Sequence, residues 1–220
     1  MKCQPVLHVQ DDDDIPIGKI VCLARTYKLH AEEMGHTIAT DMAMFLKPAS
    51  TIIQEGQCIF IPEKVGEVHH EVEMAVIIGR PGSHIPVLGA ASHIYGYTVA
   101  IDVTARDIQR DAKRDGLPWT TSKGYDTFCP IGTVIPASRI PNPHALELSL
   151  FVNGELRQAS STANLRYTVE EIISTVSEIM TLCRGDIILT GTPEGVGPLQ
   201  RGDIVEAQLD ANSHLTVSVE

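Results

Sequence analysis

The sequence predicts a mixed, β-rich α+β fold with a few peripheral helices, and three observations point there. Short apolar runs bounded by Gly, Pro, Asn and Asp recur along the chain, the pattern of strands joined by turns. Only Val169 to Leu182 shows a clear helical apolar period. The chain has 220 residues, enough to bury a sizeable core without a disulfide or zinc staple. No internal repeat or low-complexity linker divides it, so a single domain is expected.

The chain opens on a short strand. The acidic run Asp11 to Asp14 is read as a solvated turn leading into a strand over Lys19 to Leu23. A polar helix is expected over Tyr27 to Met34. Glu71 to Ile78 runs into Gly79 and Pro81-Gly82, a strand and its turn. A short helix at most ends at Ser92 and His93. Tyr95 to Val103 alternates, with Tyr97, Val99, Ile101 and Val103 on one face and Gly96, Thr98, Ala100 and Asp102 on the other. Leu146 to Val152 precedes Asn153-Gly154, a hairpin signal. Thr168 can cap the helix Val169 to Leu182, with Glu171 completing a capping box. Val169, Ile172, Ile173, Val176, Ile179 and Met180 form its apolar face, and Gly185 is expected to end it. Asp186 to Thr190, Asp203 to Ala207 and Leu215 to Val219 read as further strands.

Acidic residues outnumber basic ones, 28 to 17, for a net charge of -11. That argues against a nucleic-acid binder, which needs clustered Lys and Arg. The five cysteines are widely spaced without a C-x-x-C, as expected of free thiols in a reducing compartment. No signal-peptide core and no apolar run of membrane-spanning length is visible, so a cytoplasmic protein without a membrane partner is expected.

Glu71 and Glu73 alternate with Val72, which in a strand puts both carboxylates on one face. Like charges that close call for a proton or a cation between them. Asp102 is flanked by apolar residues and also needs a partner if buried. Should the two strands share a sheet, three carboxylates converge into an all-oxygen site suited to Mg²⁺ or Mn²⁺, with positions left open for a chelating substrate. The competing reading is an exposed Glu-x-Glu on an edge strand. His69 shares that face, so a mixed nitrogen and oxygen site for iron, zinc or manganese is a third possibility.

On a helix, His30 and Glu33 would stand on one face as a general-base pair, or as a solvated ion pair. Lys123 precedes Phe128-Cys-Pro130 and, near a metal site, could stabilise an enolate. Leu189 to Gly197 is glycine-rich at a strand end, either an ordinary turn or an anion-binding nest. No nucleophile elbow or activated cysteine is evident.

Taken together, His69-His-Glu-Val-Glu73, Ile101-Asp-Val-Thr-Ala-Arg-Asp-Ile-Gln109, Gly116-Leu-Pro-Trp119 with Lys123, Phe128-Cys-Pro130, Val152-Asn-Gly-Glu155 and Leu189-Thr-Gly-Thr-Pro-Glu-Gly-Val-Gly-Pro198 resemble the fumarylacetoacetate hydrolase family. The resemblance is to its short single-domain acylpyruvase and oxaloacetate-decarboxylase branch. It implies a rolled β-sheet like that family's C-terminal domain over residues 19–220, with residues 1–18 as an N-terminal strand and acidic turn packed upon it. It implies a homodimer, Mg²⁺ or Mn²⁺ on Glu71, Glu73 and Asp102, and His30 with Glu33 as a water-activating pair on a lid. It also implies Lys123 as the active-site lysine, with Arg25, Arg106, Gln109 and Thr192 near a small 2-oxo acid substrate. His69 and His70 match a histidine pair not normally counted as ligands. The family's Gly-Arg-Asn-Tyr before the lid is here Ala24-Arg-Thr-Tyr27, a change that bears on the lid and is expected to leave the metal site untouched.

The implied reaction is metal-dependent C–C cleavage through an enolate, by acylpyruvate hydrolysis or oxaloacetate decarboxylation. A 2-hydroxyhepta-2,4-diene-1,7-dioate isomerase-like activity in aromatic catabolism, a non-catalytic binding relative and a cupin-like oxygenase using His69 are the alternatives.

Overall fold

The structure, a computed structural model, describes residues 6–27 and 42–220. His30, Glu33 and all but the first residue of the expected polar helix lie outside these residues.

Two sheets dominate. The six-stranded sheet has the order Ile135–Pro136, Ile94–Ile101, Val72–Ile78, Ile187–Leu189, Ile20–Ala24 and Ala43–Lys47. It is mixed: Ile187–Leu189 runs antiparallel to Val72–Ile78 and parallel to Ile20–Ala24. The five-stranded sheet has the order Glu155–Ser161, Glu147–Val152, Ile204–Leu209, Ser213–Val219 and Cys58–Ile59.

The first sheet is covered on both faces. One face shares a large apolar cluster with the second sheet, in which Val72, Val99 and Ile101 join Leu148, Val205 and Val217. The other face packs Ala75, Ile77, Ala100 and Leu189 against the N-terminal hairpin through Leu7 and Ile15. This explains why every residue of Val72–Ile78 is buried, whereas burial along Glu147–Val152 alternates. Each core side chain of this size contributes about 1.5–3 kcal/mol by leaving water.

Most expected strands are present within a residue or two, and the backbone at Asn153 and Gly154 is left-handed at both positions, as a tight hairpin turn requires. Asp11 to Asp14 are exposed in the turn of the N-terminal hairpin. The capping box of Thr168 and Glu171 is formed. Three expectations need correction. The capped helix stops at Ile179, not Leu182, and Ile179 is exposed. Met180 is already extended, and Gly185 belongs to the later turn before Ile187–Leu189. Tyr27 is not helical, since it bridges Leu165 in a β-like contact. Two helices were not foreseen, Arg106–Asp115 and the single turn Thr120–Lys123, because their polar composition hides the apolar period.

Among the described residues, no helix is long and apolar enough to cross a membrane. Cys22 and Cys129 are buried free thiols, Cys58 is half-buried, and Cys183 is exposed.

Candidate metal centre

The centre is assembled where two antiparallel strands end. Val72 pairs with Ile101 and Glu73 with Ala100, which brings Glu71 and Glu73 beside Asp102. The Asp102 N–H donates to the Glu71 carbonyl at 2.8 Å and fixes that junction. Glu71 lies in the break between Val68–His70 and Val72–Ile78 and not inside one continuous strand. One oxygen from each of the three carboxylates lies within 4.8 Å of the others, and all three residues are buried. An exposed edge-strand pair is thereby excluded.

Three cations face these three anions. Lys123 Nζ donates to Glu71 Oε2 at 2.8 Å and to Asp102 Oδ2 at 2.5 Å. Lys47 Nζ donates to Asp102 Oδ1 at 2.7 Å and to the Val103 carbonyl at 3.2 Å. Arg106 Nη2 donates to Glu71 Oε1 at 2.6 Å. Burial alone would lower the Lys123 ammonium, but Asp102 and Glu71 overcome it and raise it, so the group stays charged. Burial alone would raise the Glu71 carboxyl, but Lys123 and Arg106 hold it well below the usual range.

Glu73 is the exception. Its Oε2 accepts a 2.6 Å bond from the Gly191 N–H, its one hydrogen bond among the described residues. Burial first, then the Asp102 and Glu71 carboxylates, push its carboxyl well above the usual range. A buried carboxylate beside two others, with no ion-pair partner of its own among the described residues, fits a hard divalent cation: the donors are all oxygen and preorganised. His69 is not part of this group of ligand atoms. Its Nδ1 accepts from Arg106 Nε at 3.3 Å, so the mixed nitrogen and oxygen site is not assembled.

Sequence reasoning missed Lys47. The signal was present as a lysine closing the otherwise apolar Ala43-Met-Phe-Leu run, where burial demands an anion. Thr26, read from sequence with the lid's entry turn, also touches the loop that holds Glu73. Thr26 Oγ1 donates to the Thr190 carbonyl at 2.6 Å. Gly191 adopts φ +93, and a Cβ there would lie 1.9 Å from Thr26 Oγ1. Thr26 therefore packs on the glycine whose N–H holds Glu73. The glycine-rich loop gives one backbone N–H, that of Gly191, to the chain's own Glu73 carboxylate.

The remaining sequence-singled residues surround the centre. Arg106 and Gln109 share a face of the Arg106–Asp115 helix, with Arg106 Nη1 donating to Gln109 Oε1 at 2.7 Å. Both line a cavity of 340 Å³. Thr192 is buried, and its Oγ1 accepts from Gln158 Nε2 at 2.8 Å. Gln158 also bonds His70 Nδ1 at 2.9 Å and accepts from the Val72 N–H at 3.1 Å. Gln158 was not singled out from sequence, because a lone glutamine in a hairpin carries no signal. Arg25 is half-buried with φ 63, a left-handed conformation costly for a side chain of this size.

A rolled, two-sheet β-rich fold that gathers three buried carboxylates where adjacent strands end, with a buried lysine beside them, defines a class of enzymes whose all-oxygen carboxylate cluster can take a divalent cation. Within that class, the chain belongs to the fumarylacetoacetate hydrolase family. The family model, fumarylacetoacetate (FAA) hydrolase C-terminal, matches residues 19–220. The chain is 44% identical to the mitochondrial oxaloacetate tautomerase FAHD1 of Mus musculus, over 87% of this chain and 86% of the relative. It is 46% identical to the Arabidopsis thaliana protein of that name, over 92% and 91%. Among solved structures, the fumarylpyruvate hydrolase of Pseudomonas aeruginosa in complex with Mn²⁺ and pyruvate superposes with a TM-score of 0.95 at 34% identity, covering 100% of this chain and 97% of that one. The 2-hydroxyhepta-2,4-diene-1,7-dioate isomerase of Mycobacterium marinum gives 0.82 at 38% identity, over 93% and 75%.

Proposed function

We propose that this protein acts on small 2-oxo acids through a stabilised enolate, with oxaloacetate and acylpyruvates as substrates and pyruvate as the common product of cleavage. The observation that carries the proposal is the buried grouping of Glu71, Glu73 and Asp102 with Lys123 beside a cavity. The names of the relatives, an oxaloacetate tautomerase and a fumarylpyruvate hydrolase, support the same substrate class.

Glu71, Glu73 and Asp102 would hold Mg²⁺ or Mn²⁺, which when bound supplies Lewis acidity toward a 2-oxo carboxylate. Lys123 keeps its proton at neutral pH and presents fixed positive charge where negative charge develops on the substrate oxygen. Arg106, held by Glu71 and Gln109, is oriented toward the same cavity to bind a carboxylate. Thr192 and Arg25 complete the proposed substrate contacts. In hydrolysis His30 would take a proton from water with Glu33 holding the imidazole. Tautomerisation and decarboxylation of oxaloacetate pass through an enolate without an attacking water. The homodimer implied by the family resemblance is part of the proposal, and sedimentation analysis tests it.

The deciding experiment follows pyruvate release from acetylpyruvate and oxaloacetate, and enol absorbance of oxaloacetate, with chelator-stripped protein and again after adding Mg²⁺ or Mn²⁺. Metal-dependent change in either substrate is expected. Absence of all three activities with metal bound overturns the proposal. His30→Ala is expected to lower acetylpyruvate hydrolysis by about 10²–10⁴ while sparing part of the oxaloacetate activity. Equal loss of both would remove His30 from its assigned role.

A further inference from the structure

We propose that Lys113 anchors a second substrate carboxylate, so that the cavity beside Arg106 selects 2-oxo dicarboxylates over 2-oxo monocarboxylates. This rests on the 2-oxo acid reading above and adds to it the recognition of the distal end of the substrate.

Lys113 follows Gln109 by four residues and Arg106 by seven, which puts all three on one face of the Arg106–Asp115 helix. All three line the 340 Å³ cavity, together with Arg110, Glu67 and His69. The charges there are unequally matched. Arg106 is paired with Glu71 at 2.6 Å. Arg110 reaches Asp107 at 3.0 Å and Glu67 at 3.9 Å. Glu67 Oε1 also lies 3.0 Å from His69 Nε2. Among the described residues, Lys113 has no carboxylate within ion-pair distance, and its ammonium lies 5.2 Å from the centroid of the Trp119 ring.

That ring ties Lys113 to the metal centre. Trp119 stacks on Phe45 at 5.5 Å between centroids, and Lys123 Nζ lies 5.0 Å from the Phe45 ring. An aromatic wall thus runs from the lysine at the carboxylate triad to the lysine in the cavity, and both ammonium groups face it. Burial first, then the Arg106 guanidinium, with Lys123 and Arg25 adding to it, press the Lys113 ammonium down to about 8, while Glu71 pulls the other way. Arg106 and Arg110 line this cavity with carboxylate partners of their own, and among the described residues the Lys113 ammonium in it has none. A ligand carboxylate is the missing partner. A 2-oxo acid bound at the triad by its first carboxylate and oxo group would present a second carboxylate to Lys113.

The test uses the metal-loaded protein and 2-oxo dicarboxylates of four to six carbons, with pyruvate as the control lacking a distal carboxylate. Affinities come from calorimetry, and the fluorescence of Trp119, the only tryptophan in the chain, reports whether the ligand reaches this wall. The wild type should prefer at least one dicarboxylate by about tenfold to a hundredfold, the range of a charge-assisted bond. Lys113→Met should collapse the dicarboxylate-to-pyruvate ratio to within about twofold of unity, and Lys113→Arg should keep most of it. A ratio unchanged in Lys113→Met, or pyruvate binding with no dicarboxylate preference in the wild type, overturns the subsite and leaves the 2-oxo acid reading standing. Failure of the wild type to bind pyruvate or any dicarboxylate overturns both.

Discussion

Two buried carboxylates lie at opposite ends of the Ile187–Leu189 strand, and they are treated differently. Asp186, just before it, is 2% exposed and fully satisfied. One carboxylate oxygen accepts from the Lys19 N–H at 2.9 Å, the other from the Cys183 N–H at 2.6 Å, and Lys19 Nζ closes the ion pair. Glu73, held by Gly191 just past the other end, is 1% exposed and receives one hydrogen bond among the described residues. It faces two carboxylates instead of a dedicated cation. A buried charge with its donors complete is structural, tying the N-terminal segment to the turn before the strand. A buried carboxyl without an ion-pair partner, among others of its kind, is the arrangement a cation-binding site uses.

The largest effect expected from this contrast is at Glu73. Glu73→Gln should weaken Mg²⁺ or Mn²⁺ binding by about 10²-fold or more, as loss of an anionic ligand from a three-carboxylate set requires. The metal-free protein should unfold at the same temperature or higher, because an amide adds no charge to repel. Calorimetric titration and thermal unfolding measure the two. A metal-free variant that melts several degrees lower would make Glu73 structural and break the contrast.

Asp186→Ala should do the reverse. It orphans two backbone N–H groups and a lysine, at a cost of about 2–4 kcal/mol, while metal affinity stays within about twofold. Denaturant unfolding beside metal titration checks this, and a parallel loss of metal affinity would show that the two ends of the strand are coupled.

The smallest effect is in pH. The Glu73 carboxyl is raised in the metal-free fold, so its contribution to stability is present below the unfolded carboxyl pKa and lost as pH rises through the folded value. Glu71 is depressed, so its contribution is present above the unfolded pKa and lost as pH falls through the folded value. A cation competes with a proton for the Glu73 carboxyl, which burial and its neighbours raise. Metal affinity should therefore rise with pH, by up to about tenfold per unit, until Glu73 is ionised, with about one proton released per ion. Calorimetry in buffers of different ionisation enthalpy counts that proton, and no release would mean that Glu73 is already ionised before metal arrives.

Legibility from sequence followed the type of signal. Period-two alternation revealed Ile94–Ile101 and the hairpin around Asn153-Gly154, and the capping box revealed the start of the Val169–Ile179 helix. The Arg106–Asp115 helix was invisible because it buries charged and polar groups, Arg106 and Gln109 among them, and so lacks the apolar stripe that marks a helix. Lys47 and Gln158 escaped for a related reason: each is one ordinary polar residue in a strand, and only its partners give it meaning. Thr26 was placed with the lid segment because sequence neighbours suggested it, although its contacts are with Thr190 and Gly191.

The sequence by itself determined the β-rich class, the strand order along the chain and the carboxylates Glu71, Glu73 and Asp102 as a candidate oxygen site. These follow from local periodicity and from the rule that adjacent like charges need a counter-ion. The tertiary structure alone decided which cation meets which anion, because pairing depends on register between distant strands. Val72 opposite Ile101 places Asp102 against Glu71. The far edge strand Ala43–Lys47 then supplies Lys47, and the loop after the neighbouring Ile187–Leu189 strand supplies the Gly191 N–H to Glu73. Shifting that register by one residue would turn Asp102 to the other face, and the site would be gone.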